Sequence, residues 1–294
     1  MQAAKQILTI LMACASAFPL AANRCDAAPV SPQIIPLDLT GPHPTAQLTV
    51  DGHAPFAVIF DSGAGANLFA TAVAKDLGLP NEGEIQVGSP GASAPLVGFR
   101  TTLRHARLGD AEIKNAFAVV VDIPGAMGSI SGAISPNAFS GRLVRFEFAA
   151  SRALVLDKAP GAVPSGPAYR YAGEGGHALP AVEIEVAGKK ILAHADSGSG
   201  HGLGFPLELA KQLPLLGPLE PRPDIHMMGG DHKAYAARIS GKVRVGPLEL
   251  TDPEVGFAEG VPIANVGIEV LKRLTLVLDP ETQRDWVLLP EAKD

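Results

Sequence analysis

Two aspartates, Asp61 and Asp196, each open an Asp-Ser-Gly tripeptide. Before Asp61 stands Phe56-Ala57-Val58-Ile59-Phe60, a nearly unbroken apolar run, so Asp61 is expected at the end of a buried strand. A carboxylate in that position is costly unless it is hydrogen-bonded or put to chemical use. Ser62 and Ser197 can donate hydrogen bonds, and Gly63 and Gly198 let the backbone turn away with no Cβ to clash. Two carboxyl groups in contact cannot both ionise readily, so they share one proton. One can then take a proton from water while the other, still protonated, polarises a carbonyl.

The elements that would position these residues occur twice. Residues 47–79 read QLTVDGHAPFAVIFDSGAGANLFATAVAKDLGL, and residues 182–213 read VEIEVAGKKILAHADSGSGHGLGFPLELAKQL. Both run strand, glycine turn, strand, Asp-Ser-Gly, Gly-rich loop and short helix, the helices being expected over Phe69–Leu77 and Pro206–Leu213. Downstream, Arg107-Leu108-Gly109 matches Arg244-Val245-Gly246. Counting 71 residues from each aspartate pairs Gly132 with Gly267, and so Ile130-Ser131-Gly132-Ala133-Ile134 with Asn265-Val266-Gly267-Ile268-Glu269. Phe146-Glu147 to Arg152 and Val155 then matches Leu278-Asp279 to Arg284 and Val287, with three extra residues of the first copy placed around Ser135 to Gly141. The division expected is a first lobe over 31–157, a Pro/Gly-rich linker over 158–179 and a second lobe over 180–290. Lobes packed about a pseudo-two-fold axis would bring the aspartates together in the cleft between them, where ligand sites tend to form.

Composition narrows the function classes. Of 294 residues, 47% are hydrophobic and 18% charged, enough apolar content for a packed core. The 32 glycines and 26 prolines favour turns and short strands over long helices. A net charge of −6 argues against a nucleic-acid binder. Residues 1–27 read as an export signal, with Lys5 before the apolar run Ile7 to Leu20 and a cut after Ala22 or Ala27, which predicts a periplasmic or secreted protein. That run is short and interrupted by Pro19, and no later stretch suits a membrane span. Cys14 and Cys25 are the two cysteines, so a disulfide framework is excluded. Gly63 to Leu68 mimics the start of a dinucleotide fingerprint but lacks its third glycine. Asp224, His226, Asp231 and His232 could be drawn as a metal site, but read better as solvated loop residues, and His194 and His201 as neighbours of the second motif. Neither a cofactor nor a metal is expected.

The segment FAVIFDSGAGANLFATAVAKDLGL resembles the Asp-Ser/Thr-Gly-Ala signature of the retropepsin-like aspartic proteases. Gly132 and Gly267 resemble the hydrophobic-hydrophobic-Gly element which that family places against its catalytic loop, and the likeness runs from about Pro36 to Leu289. The resemblance implies an all-β fold of two closed, mostly antiparallel barrel lobes related by pseudo-two-fold symmetry, each with a short helix. It implies catalysis by Asp61 and Asp196, with Ser62 and Ser197 bracing the lobes and Gly63 and Gly198 completing the two loops. The substrate would be a peptide or protein lying extended in the cleft of a monomer. Three features depart from the family pattern: His194 in the strand before the second motif, Ser131 before Gly132, and no tyrosine over Ile85 to Leu103. The flap is thus left open between that hairpin and His226 to Tyr235. A non-catalytic descendant that binds peptides or envelope partners is the rival reading. Lobes that instead pair in separate homodimers would hold the two aspartates far apart in one chain.

Overall fold

The computed structural model describes residues 31–88, 95–122, 131–173, 178–227 and 230–291. The expected leader over 1–27 lies outside the described residues, as do Ile130, Met228 and Gly229. Short strands dominate, and they form three sheets.

In the first lobe, Thr45–Val50 and Phe56–Phe60 form a hairpin, and Phe60 enters the core while its successor Asp61 does not. The ring continues through Gly132–Ile134, Asn67–Ala70, Ala111–Val121 and Leu96–Leu108, and closes where Leu48 pairs with Leu108. Six strands thus form a closed barrel. Two of the pairings are parallel, Phe56–Phe60 with Gly132–Ile134 and Asn67–Ala70 with Ala111–Val121. Glu84–Val87 extends the long hairpin outside the ring.

The second lobe repeats this order with Ala181–Val186, Lys189–Ala195, Ala264–Val266, Leu203–Pro206, Glu254–Ala258 and Gly230–Arg238. Here the long hairpin is broken. Gly230–Arg238 and Lys242–Val245 replace one continuous strand, and Leu248–Thr251 and Glu254–Ala258 replace its partner. Asp252 adopts a left-handed φ of 45° and Pro253 has no N–H to give a ladder, so the sheet kinks there. Lys242–Val245 still returns to Ala181–Val186, so the chain itself completes the half-barrel.

Gln33–Pro36, Arg152–Leu156, Leu143–Glu147, Thr275–Asp279, Arg284–Leu288 and Tyr169–Arg170 form a third, wholly antiparallel sheet shared by both lobes. At its centre Val144 pairs with Leu278, and Leu276 with Phe146. Exchanging the lobes converts one pair into the other, so the pseudo-two-fold axis passes by Arg145 and Val277. Beneath it Phe60, Phe139, Phe146 and Phe148 form an aromatic cluster, with the Phe60 and Phe146 ring centroids 4.7 Å apart.

The helices are shorter than the sequence suggests. Asn67–Ala70 is a strand and only Thr71–Asp76 is α-helical. Pro206 ends the strand Leu203–Pro206, and Leu207–Gln212 forms a 3-10 turn. A second short α-helix, Ile268–Leu271, follows the Asn265-Val266-Gly267 element. The pairing of Gly132 with Gly267 needs correction. Asp61 N donates to Ile134 O and Asp196 N to Val266 O, so Ile134 matches Val266, Ala133 matches Asn265, and Ser135 takes the place of Gly267. Leu143 and Thr275 stand nine residues beyond Ile134 and Val266 respectively, so nothing is inserted around Ser135 to Gly141. Instead the loop after Asp196 is one residue longer than that after Asp61, as the buried Phe69 and Phe205 show, and the extra length of the first lobe lies between Phe69 and Ile134.

Candidate active site

Each Asp-Ser-Gly stands where a strand leaves the core: Phe56–Phe60 delivers Asp61 and Lys189–Ala195 delivers Asp196. The two loops face one another, and their serines are fully buried. Ser62 N donates to Ser197 Oγ at 2.9 Å, and Ser197 N donates to Ser62 Oγ at 2.9 Å. Each hydroxyl in turn donates to the carbonyl just before the opposite aspartate, Ser62 Oγ to Ala195 O at 2.8 Å and Ser197 Oγ to Phe60 O at 3.2 Å. Four reciprocal bonds therefore lock the loops together, and every polar group of the brace is satisfied, as burial requires.

The glycines allow the carboxyl groups to cross. A Cβ on Gly63 would lie 2.5 Å from Cγ of Asp196, and a Cβ on Gly198 would lie 2.5 Å from Cγ of Asp61. Asp61 Oδ1 accepts from Gly63 N at 2.8 Å and from Gly198 N at 3.0 Å. Asp196 Oδ1 accepts from Ser199 N at 3.1 Å, and its Oδ2 from Asn265 Nδ2 at 2.8 Å. The two carboxyl groups face each other across the crossed loops, each lying against the glycine of the opposite tripeptide. Burial, and then the charge of Asp196, push the Asp61 carboxyl far above the ordinary range, and this outweighs the two backbone donors. A pair in which one member keeps its proton can work on a water and a carbonyl at once.

All six residues singled out in the sequence, Asp61, Ser62, Gly63, Asp196, Ser197 and Gly198, thus meet at one point. The lobes meet within one chain, which removes the arrangement in separate homodimers. Three supporting residues were not singled out. Asn67 is buried, donates to Phe117 O at 2.7 Å and accepts from Ser135 N at 3.0 Å. Ser135 Oγ donates to Ala64 O at 2.6 Å, so the hydroxyl steadies the first loop where the second lobe has Gly267. Asn265 reaches Asp196 directly. A polar residue inside an apolar strand was the available signal for Asn67 and Asn265.

The histidines take other roles. His194 is buried with Nε2 3.2 Å from Ala172 O, and burial lowers its pKa. His201 contributes its carbonyl, which accepts from Glu269 N at 3.2 Å. Asp224 pairs with Lys233 at 3.1 Å, and His232 Nδ1 lies 2.8 Å from Glu259 O. The His226 side chain lies outside the described residues, and among those described no group of three or more acidic, histidine or cysteine side chains could hold a metal. Each lobe carries one of the two candidate flap pairings: Glu84–Val87 with the start of Leu96–Leu108, and Glu220–Met227 with Gly230–Arg238.

Residues 46–135 match a family model described as aspartyl protease. A comparison with curated proteins finds no match. The matched span starts in the first barrel strand and ends at Ser135, so it takes in Asp61 and the element packed against its loop.

Proposed function

We propose, on the match of residues 46–135 to an aspartyl protease family model, that the chain is a retropepsin-like exported endopeptidase whose two lobes each supply one aspartate. The observation that carries this reading is the reciprocal serine brace, which holds the Asp61 and Asp196 carboxyl groups against each other's loops. A water between the carboxyl groups loses a proton to the ionised aspartate as its oxygen attacks the scissile carbonyl carbon. The protonated aspartate gives its proton to the carbonyl oxygen, and a neutral tetrahedral intermediate forms. Its collapse breaks the C–N bond, the leaving nitrogen takes a proton from the aspartate that received one, and the other recovers its own. The peptide adds as an extended strand in the cleft, held by backbone hydrogen bonds and side-chain pockets. The apolar leader over residues 1–27 supports a periplasmic or secreted setting. No metal or organic cofactor enters these steps, and the working unit is a monomer.

Because the raised Asp61 carboxyl must keep its proton, activity is expected wherever that carboxyl stays protonated, well above the pH at which a free aspartate ionises, and is lost as rising pH removes that proton. The test is a peptide-library digest by the purified protein from acidic to mildly alkaline pH. Asp61→Asn and Asp196→Asn should each lower kcat by about a thousandfold or more. Cleavage that survives either substitution overturns the mechanism. Saturable peptide binding with no turnover at any pH, unaffected by either change, supports the non-catalytic rival.

A further inference from the structure

The two halves of the dyad are not equivalent, and the difference lies in one residue. The position before Val266 holds Asn265, whose amide donates to Asp196 Oδ2 at 2.8 Å. The matching position before Ile134 holds Ala133, which has nothing to donate to Asp61. Asp196 consequently has N–H donors on both oxygens, Ser199 N on Oδ1 and Asn265 on Oδ2. The donors to Asp61, Gly63 N and Gly198 N, both converge on Oδ1, which leaves its Oδ2 for a proton. Donors on both oxygens suit an anion, since an ionised carboxylate only accepts.

We propose that Asn265 is a positioning residue that fixes the dyad's negative charge on Asp196 and its proton on Oδ2 of Asp61. This rests on the catalytic reading above and deepens it. Asp196 becomes the base that takes the proton from water, and Asp61 the acid facing the carbonyl oxygen. The register of the sheet supports the assignment. Asn265 is held by its pairing with His194 in one neighbouring strand and Gly204 in the other, so its amide is aimed by backbone rather than by a loop. Other titratable groups act on the same place: Asp61 from the opposite loop and His194 from the strand before Asp196. The buried His194 ring is occupied by Ala172 O, and burial disfavours its charged form, so it does not replace Asn265 as a donor to Asp196.

Two measurements on the same proteins test this. The first is a 13C titration of the aspartate carboxyl carbons in the intact protein and in Asn265→Leu, which keeps the bulk and removes the donor. Over the range in which the pair holds one proton, the Asp61 carbon should report the protonated form and the Asp196 carbon the ionised form. In Asn265→Leu this division should blur. The second is the pH profile of peptide cleavage. Asn265→Leu should lower kcat by about ten- to a hundredfold and move the acid limb of the profile toward higher pH, with KM little changed. Asn265→Gln, which can still donate, should restore part of both. A uniform drop with an unmoved profile means a structural role only and overturns the proposal, as does a proton found on Asp196. If the intact protein shows the carboxyl division yet cleaves no peptide, the assignment of the proton stands and the endopeptidase reading falls.

Discussion

At Gly198 a single methyl group decides whether the site exists. Its Cβ would sit 2.5 Å from the Asp61 carboxyl carbon, and that carboxyl cannot retreat because Gly63 N and Gly198 N hold its Oδ1. Gly198→Ala should therefore reduce peptide cleavage by at least about a hundredfold while the circular dichroism of the sheet persists. Ser62→Ala tests the brace instead. It removes the acceptor for Ser197 N and the donor to Ala195 O, both buried, and should lower the unfolding free energy by about 1–3 kcal/mol. Urea denaturation measures this directly, and an unchanged midpoint would show that the brace is dispensable. These residues were legible in the sequence because their chemistry and their doubling point the same way. Asn265 was not legible as a site residue, because its role depends on which strand position faces Asp196. Counting from each aspartate also misaligned the two elements, since the second loop is one residue longer and the first lobe longer further on. Only the hydrogen bonds from Asp61 N and Asp196 N fix the true correspondence.

Among the elements, the strands were easier to read than the helices. The apolar run before Asp61 ends in a buried strand, as its composition requires. Phe69 and Ala70, by contrast, continue an apolar pattern that a helix would tolerate, yet the chain spends them on a strand. Asn67–Ala70 is needed between Gly132–Ile134 and Ala111–Val121 to complete the barrel, and this long-range demand overrides local propensity. The aromatic cluster shows how an element outside the site supports it. Phe146, in the central pair of the shared sheet, packs with its ring centroid 4.7 Å from that of Phe60, whose next residue is Asp61. Phe146→Ala should cost about 3–5 kcal/mol of stability. It should also weaken cleavage at temperatures where the protein is still folded, because the cavity frees the strand that presents Asp61. Activity assayed well below the melting temperature separates the two effects.

On the scale of the whole molecule, the shared sheet makes two half-sites into one, and the sequence could show the doubling but not this sheet. Its outermost strand, Tyr169–Arg170, comes from a stretch whose glycines and prolines read as a linker, and Lys158 ties the start of that stretch to Asp279 at 2.7 Å. Next to the outermost strand lies Asp285, paired through its backbone with Tyr169 on one side and Leu278 on the other. Asp285 is fully buried, and Oδ1 accepts from Ala181 N at 3.1 Å while Oδ2 has no partner among the described residues. Burial pushes its carboxyl up to about 7, against 3.8 for the free side chain. Between those two values the folded protein keeps a proton that the unfolded chain releases. Stability from this group is thus fully present below about pH 4 and is lost as pH rises to about 7, by a few kcal/mol in all. Asp61 titrates in the same direction, so the fold and the dyad both favour acid. Asp285→Asn keeps the acceptor for Ala181 N and cannot ionise. Its urea midpoint should match the unmodified protein near pH 4 and exceed it increasingly up to pH 7, and adding Asp61→Asn should flatten the remaining slope. Midpoints that rise with pH in the unmodified protein, or an Asp285→Asn protein with the same slope, would show that this carboxyl is not held neutral inside the sheet.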